Sequence, residues 1–261
     1  MPPLEALIWD VDGTLAETER DGHRLAFNAA FAELGLAWQW DVARYGELLA
    51  VNGGRDRLLY DMAARAGAPA SPSEREALAS RLHGLKNRHY AAIVAAGHIA
   101  LRPGVVSLMA DCRLGGLPMA IATTTSRGNV DALLQAHFGH GWESGFAAVV
   151  CAEDAPRKKP DPQVYQLALE RLGLPAPAVL AIEDSPAGVA ACLAAQVPVV
   201  VTRSMYFATF GASSALATGP GLHSRRGWQV TGQQGEVPSG DRVDLDLLIG
   251  WHARAQLQAS H

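Results

Sequence analysis

Asp10 and Asp12 stand two residues apart in "LIWDVDGTLAE", where an apolar run gives out. Three further groups follow apolar runs: the hydroxyl cluster Thr123-Thr124-Thr125, the lysines Lys158 and Lys159 of "RKKPDP", and the acidic pair Glu183-Asp184. Two carboxylates, a hydroxyl, a lysine and a second acidic pair suit phosphoryl transfer to a carboxylate. The nucleophile and the phosphate are both anionic, so their repulsion needs an offset. A magnesium ion supplies one, using oxygen ligands from a few carboxylates together with water and phosphate. Asp10, Asp184 and the backbone carbonyl of Asp12 would provide such ligands, with Glu183 beside them. Lys159 would add fixed positive charge, and Thr123 a hydrogen-bond donor for a phosphoryl oxygen. Covalent catalysis splits the reaction into transfer to Asp10 and hydrolysis of the aspartyl phosphate. Asp12 would protonate the leaving oxygen and then take a proton from the attacking water. Alternation in an extended chain puts residues i and i+2 on one face, which suits this pair.

The elements that must hold these groups can be read from the hydrophobic pattern. Leu4–Trp9 reads as a buried strand. A long Ala-rich helical region follows from about Glu19 to Ala96, with Phe27, Phe31 and Leu34 at helical spacing. It is broken at Asn52-Gly53-Gly54 and Ala68-Pro69. Ser71 and Ser73 offer N-caps for a helix running to about Ile93. After "LRPGV" the texture changes to apolar runs alternating with helices. Strands are expected at Leu117–Thr123, Phe146–Cys151, Val179–Glu183 and Val197–Thr202. Helices are expected at Arg127–His137, Asp161–Leu172 and Pro186–Ala195. Such alternation indicates a parallel sheet with helices on both faces. The helical block therefore interrupts an α/β domain after its first strand. In an open parallel sheet, functional groups gather at the carboxyl ends of the strands, and the groups above fall there. The segment from about Gly211 to Gly240 is rich in Gly, Ser and Pro and reads as loop. Asp244–Gln256 reads as a final helix.

Composition narrows the function classes. The 261 residues are 49% hydrophobic and 18% charged, with a net charge of −4. That balance offers no electrostatic reason to bind nucleic acid or an anionic membrane. Cys112, Cys151 and Cys192 lie far apart, with no CxxC or Cys/His cluster, which argues against zinc and a disulfide framework and for a reducing compartment. No apolar run reaches the roughly 18 residues a membrane span needs. The first strand starts within a few residues of Met1, so no signal or transit peptide is expected in this chain.

The segments "DVDGT", "TTTS", "KKPDP" and "EDSPAG" resemble, in order and spacing, the four motifs of the haloacid dehalogenase superfamily. The resemblance implies an α/β fold: a Rossmann-like parallel sheet core with an inserted α-helical cap. Core residues 1–17 would precede a cap at 18–97, with the rest of the core and a tail at 98–261. Aspartate at both 10 and 12 implies the phosphatase and phosphomutase branches. "ETERDGHRLAFN", "YGELLAVNGGRDRL" and "IATTTSRGNV" further resemble the CbbY-type enzymes of photosynthetic organisms, over about residues 4–210. These are xylulose-1,5-bisphosphate phosphatases that remove an inhibitor of Rubisco, the carboxylase of the Calvin cycle. The resemblance implies Mg²⁺ as cofactor, a small sugar phosphate as substrate, a monomer, and a bacterial cytosol (or a plastid stroma after removal of a transit peptide). It places Arg55 and Lys86 on the cap side of the substrate and His23 where a cap-hinge histidine helps position Asp12. Arginine binds phosphate bidentately, so Arg55 and Arg57 of the "NGGRDR" loop, with Gly54, suit a second phosphate. Glu19, Thr124 and Thr125 complete the implied substrate contacts. The "KN..Y" element at Lys86-Asn87 and Tyr90 is shared with β-phosphoglucomutase, which makes a phosphomutase the alternative. A broader phosphatase, acting for example on phosphoglycolate, is a third.

Overall fold

A computed structural model of the chain describes residues 2–232, 237 and 240–258. Its sheet has seven strands in the order β3-β2-β1-β4-β5-β6-β7. These are β1 (Ala6–Trp9), β2 (Met119–Ala122), β3 (Ala148–Val150), β4 (Val179–Glu183), β5 (Val199–Thr202), β6 (Ala217–Gly219) and β7 (Gln229–Val230). All pairs from β3 to β6 are parallel, and β6–β7 is antiparallel. β1, β2, β4 and β5 are buried at every position, as strands covered on both faces must be, and this is why they read as unbroken apolar runs.

The described chain divides into two compact units. The first comprises Met1–Glu17, Ala100–Ser126 and His140–His261 and contains the sheet. Its helices include α5 (Val105–Leu114), α7 (Gln163–Leu172), α8 (Pro186–Ala194) and α9 (Leu245–Gln258). Cys112, Cys151 and Cys192 are buried in it and form no disulfide. β6 and β7 lie within the stretch expected to be loop. At three and two residues they are too short to show a period, and they form because β5 offers them an edge. The parts of that expected loop at 233–236 and 238–239 fall outside the described residues.

The second unit comprises Thr18–Ile99 and Arg127–Gly139. It opens with a π-helical turn at Glu19–His23, which the sequence did not suggest. α1 (Arg24–Glu33), α2 (Val42–Leu48), α3 (Gly54–Ala64) and α4 (Pro72–Ala95) follow. Ser71 caps α4 through a capping box with Glu74, and Pro72 occupies the first turn, where its missing N–H costs nothing. Trp40 is the centre of the unit's core, 4.8 Å from the Phe27 ring and 5.0 Å edge-on to Phe31. Its indole N–H donates to Asp61 at 2.9 Å. α6 (Arg127–Phe138) groups with this unit: His137 bonds the Ile99 carbonyl at 2.8 Å, and Asn129 donates to Asn87 at 3.4 Å. Among the described residues, no helix is long and apolar enough to cross a membrane.

Candidate active site

Strand pairing aims the first aspartate. β1 holds Trp9 opposite Ile121 of β2 and Ile182 of β4. One step further, Asp10 comes level with Ala122 and Glu183, and its N–H donates to the Ile182 carbonyl at 3.1 Å. The chain runs outward from β1 to β2 and β3, then returns to place β4 and β5 on the other side. The strand order therefore reverses beside β1, and the carboxyl ends at such a switch point form a crevice.

Lys159 enters at this level from the loop before α7. Its ammonium donates to Asp10 Oδ1 at 2.6 Å, to Glu183 Oε1 at 2.6 Å and to the Ala122 carbonyl at 3.0 Å. That spends all three of its donors. Lys159, Asp10, Glu183 and Asp184 are all buried. Burial alone would lower the Lys159 pKa, but the two carboxylates outweigh it and raise it.

The carboxylate oxygens of Asp10, Glu183 and Asp184 lie within 4.8 Å of one another. Burial pushes the Asp10 carboxyl up to about 8; Lys159 opposes this, while Glu183 and Asp12 add to it. Asp184 is likewise raised well above the carboxylate range, by burial and then by Asp10 and Glu183. The Ser204 hydroxyl and the Arg102 charge pull it the other way. Of these three buried carboxylates, two share Lys159 and Asp184 does not touch it. A surplus of negative charge on hard oxygen donors in a dry crevice fits a small divalent cation. Gly13, at φ +85°, lets the chain turn after Asp12, and a Cβ there would collide with the Asp184 carboxylate. Gly188 in the first turn of α8 leaves similar room for the Glu183 carboxylate.

The carboxylate of Asp12 is not part of the cluster of three. Asp12 is half-buried and begins the tight turn that returns to Ala16. Thr123 is buried at the end of β2; its N–H donates to Val150 and its hydroxyl accepts from Thr125 N–H at 3.3 Å. Thr124 and Thr125 are half-buried beside it.

The residues expected to meet substrate from the helical block are held within that unit. Arg57 is only 6% exposed, and it donates to the Leu48 carbonyl at 3.2 Å and the Tyr45 hydroxyl at 2.7 Å. Glu19 accepts from the same hydroxyl and lies 3.6 Å from Arg57. His23 stacks on Tyr90 at 4.3 Å. Lys86 is buried, donates to Asn87 at 3.2 Å, and sits over the Phe27 and Tyr90 rings. Gly54 and Arg55 open α3, where Arg55 is exposed and paired with Glu76.

Two contributors near Asp10 were not anticipated. Tyr165, on the first turn of α7, donates to Glu183 Oε1 and turns its ring face to Lys159 at 5.0 Å. Its place six residues after Lys159, at the start of the next helix, was the available signal. Arg102 donates to the carbonyls of Gly13, Thr202, Arg203 and Pro220, with its Nε 3.6 Å from Glu17. A lone arginine before "PGV" carries no comparable signal, because its acceptors are backbone atoms from distant parts of the chain.

Residues 4–196 match the model of the haloacid dehalogenase-like hydrolases. The chain is 44% identical to the plasmid-borne protein CbbY of Cupriavidus necator over 98% of its own length and all of that protein. It is 45% identical to CbbY of Rhodobacter capsulatus, over 78% of this chain and 87% of that one. Among solved structures, CbbY from Rhodobacter sphaeroides in complex with xylulose-(1,5)bisphosphate superposes with a TM-score of 0.75 at 39% identity, covering 81% of this chain and 92% of that one. Motif order, the cluster at the strand ends and these matches agree, and the chain belongs to the haloacid dehalogenase-like hydrolases.

Proposed function

We propose that the protein is a Mg²⁺-dependent phosphatase that hydrolyses xylulose 1,5-bisphosphate to xylulose 5-phosphate through an aspartyl phosphate on Asp10. The observation that carries the chemistry is the buried Asp10–Lys159–Glu183–Asp184 group at the strand switch point. The choice of substrate rests on the likeness to the CbbY protein whose structure contains that bisphosphate.

In the first half-reaction an Asp10 carboxylate oxygen bonds to phosphorus and the phosphorus–sugar oxygen bond breaks. Asp12 gives its proton to the departing oxygen. In the second, water attacks the same phosphorus, loses a proton to Asp12, and the acyl–phosphate bond opens to return the Asp10 carboxylate and inorganic phosphate. Lys159 holds Asp10 in place and sets positive charge beside the phosphoryl oxygens, while Thr123 donates to one of them. Asp10, Asp184, Glu183 and the Asp12 carbonyl would hold Mg²⁺. When bound, the ion keeps the carboxylates ionised and offsets the phosphate charge. Within the helical unit, exposed Arg55 is the side chain assigned to the second phosphate. Arg57 and Glu19 are bonded to Tyr45 and paired with one another, which leaves Arg55 as the arginine of that loop open to a ligand.

The test is phosphate release with Mg²⁺ from xylulose 1,5-bisphosphate, ribulose 1,5-bisphosphate, phosphoglycolate and β-glucose 1-phosphate. A preference of several orders of magnitude for the first is expected. A flat profile, or formation of glucose 6-phosphate from the last, would refute the substrate while leaving the Asp10 chemistry in place.

A further inference from the structure

The outer part of the sheet unit contains a cleft that the Asp10 chemistry does not use. Beyond the end of β5 the chain passes through Arg203, loops back, and adds β6 and β7. Arg203, Ser213, Thr218, Gln229 and Thr231 line a space of about 610 Å³ there, a size suited to a small metabolite. None of the residues gathered around Asp10 lines it, and no lining residue is acidic. The antiparallel register sets Thr218 opposite Gln229, so both side chains share one face of the pair.

Several polar groups here are arranged yet left open to the cleft. Arg203 Nε donates to the Phe210 carbonyl at 2.8 Å, which fixes the plane of the guanidinium. Its two terminal nitrogens meet no acceptor among the described residues. Thr218 is only 6% exposed; its hydroxyl has no partner among them and is the part left open to the cleft. The same holds for the Ser213 hydroxyl and the Gln229 amide. Thr231 alone is spent, on the Ala215 carbonyl. Arg203 is half-buried and Ser213 and Gln229 are exposed, so these groups face water in the cleft and can exchange it for a ligand. An arginine held in plane with both terminal nitrogens open matches the oxygens of a phosphoryl group.

We propose that this cleft is a second, non-catalytic binding site for a small phosphorylated polyol. The phosphoryl group sits on Arg203, and hydroxyls of the remainder bond Thr218, Ser213 and Gln229. Equilibrium dialysis and calorimetry of the full-length Asp10→Asn protein with ribose 5-phosphate, and separately with inorganic phosphate, test it. Asp10→Asn prevents turnover, so every bound equivalent is counted. Arg203→Met is expected to remove one equivalent of ribose 5-phosphate, or weaken it about tenfold or more, as loss of a charge-assisted pair does. Thr218→Val, nearly isosteric and so safe for folding, is expected to weaken it severalfold. Inorganic phosphate is expected to bind the same site more weakly. Unchanged stoichiometry and affinity in both variants would overturn the site. Equal affinity for the two probes would overturn the polyol. The readout is the change in stoichiometry at Arg203, so it stands whether or not the Asp10 centre also binds ribose 5-phosphate.

Discussion

Both units bury cations, and they treat them differently. Around Lys159, one ammonium is bonded to two carboxylates while a third, Asp184, lies beside them, and burial, reinforced by the neighbouring carboxylates, raises Asp10 and Asp184. In the helical unit the charges close on one another. Asp61 is buried, but Arg44 and Arg65 each donate to it at 2.7 Å, and Trp40 adds a third bond. Burial works to raise Asp61, and these donors outweigh it and hold its carboxyl below the ordinary range. A buried charge with its partners in place is scaffold. A buried charge left short of partners is a place where something else completes the set. By that criterion the strand-end cluster is a site, while the Arg203 cleft differs from it in offering half-buried and exposed groups to a ligand.

The largest test of the contrast is Asp10→Asn. Turnover is expected to fall by roughly 10⁴-fold or more, since no other group can carry the phosphoryl. Substantial phosphate release from purified variant would end the covalent mechanism. Lys159→Met is next: kcat should drop about 10²–10³-fold. Stability should also fall, because the carboxylates lose their only ammonium. Adding Mg²⁺ should raise the melting temperature of this variant and of the parent, since a ligand bound only by the folded state stabilises it. If Mg²⁺ moves neither, the charge surplus is not a metal site.

The scaffold side predicts the reverse pattern. Asp61→Asn should destabilise the protein by about 2–3 kcal/mol in urea unfolding, by weakening bonds to two arginines. The variant that remains folded should keep its kcat. A fall in kcat at constant folded fraction would show that Asp61 belongs to the reaction. Arg55→Ala should change stability by less than about 1 kcal/mol, as expected of an exposed pair. KM should nonetheless rise more for a bisphosphate than for a monophosphate; equal effects would remove Arg55 from the second phosphate.

The smallest effect concerns His252 of α9, which is buried with Nε2–H donating to the Pro177 carbonyl at 2.8 Å. Burial holds its pKa below the usual 6.5, and the bond to Pro177 opposes this only in part. The folded protein therefore binds fewer protons there than the unfolded chain. Its contribution is complete above pH 6.5 and is lost as pH falls through the lower folded value. His252→Gln should flatten that part of the stability–pH curve. An unchanged slope would mean that other groups set it.

How much of this was legible depended on whether a signal was local. β1, β2, β4 and β5 stood out because burial on both faces demands unbroken apolar runs. The strand-end rule then located Asp10, Thr123, Lys159 and Glu183-Asp184 with no structure at all. The Ser71 cap of α4 was visible for the same reason: its partner, Glu74, is three residues away. What escaped was set by distant partners. β6 and β7 exist only because β5 is there to pair with. The π-helical turn at Glu19–His23 has no residue signature. Arg102 gathers carbonyls from residues 13 to 220, which no window along the chain can show. The internal satisfaction of Arg57 and Lys86 was invisible too, since sequence reports a cation but not what already holds it.

The two-residue β7 has a consequence for how the molecule behaves among its own copies. Without β6 and β7, the Val-Val-Val-Thr run of β5 would be a bare outer strand, with a row of open backbone donors and acceptors ready to join another chain. β6 covers that row, and β7 covers β6 antiparallel, with a side so short that it offers a newcomer almost nothing to zip onto. The Gly- and Ser-rich extension thus works as a selvedge, finishing the sheet so that it does not unravel into aggregates. A chain cut after Phe210 should self-associate at concentrations where the full chain does not.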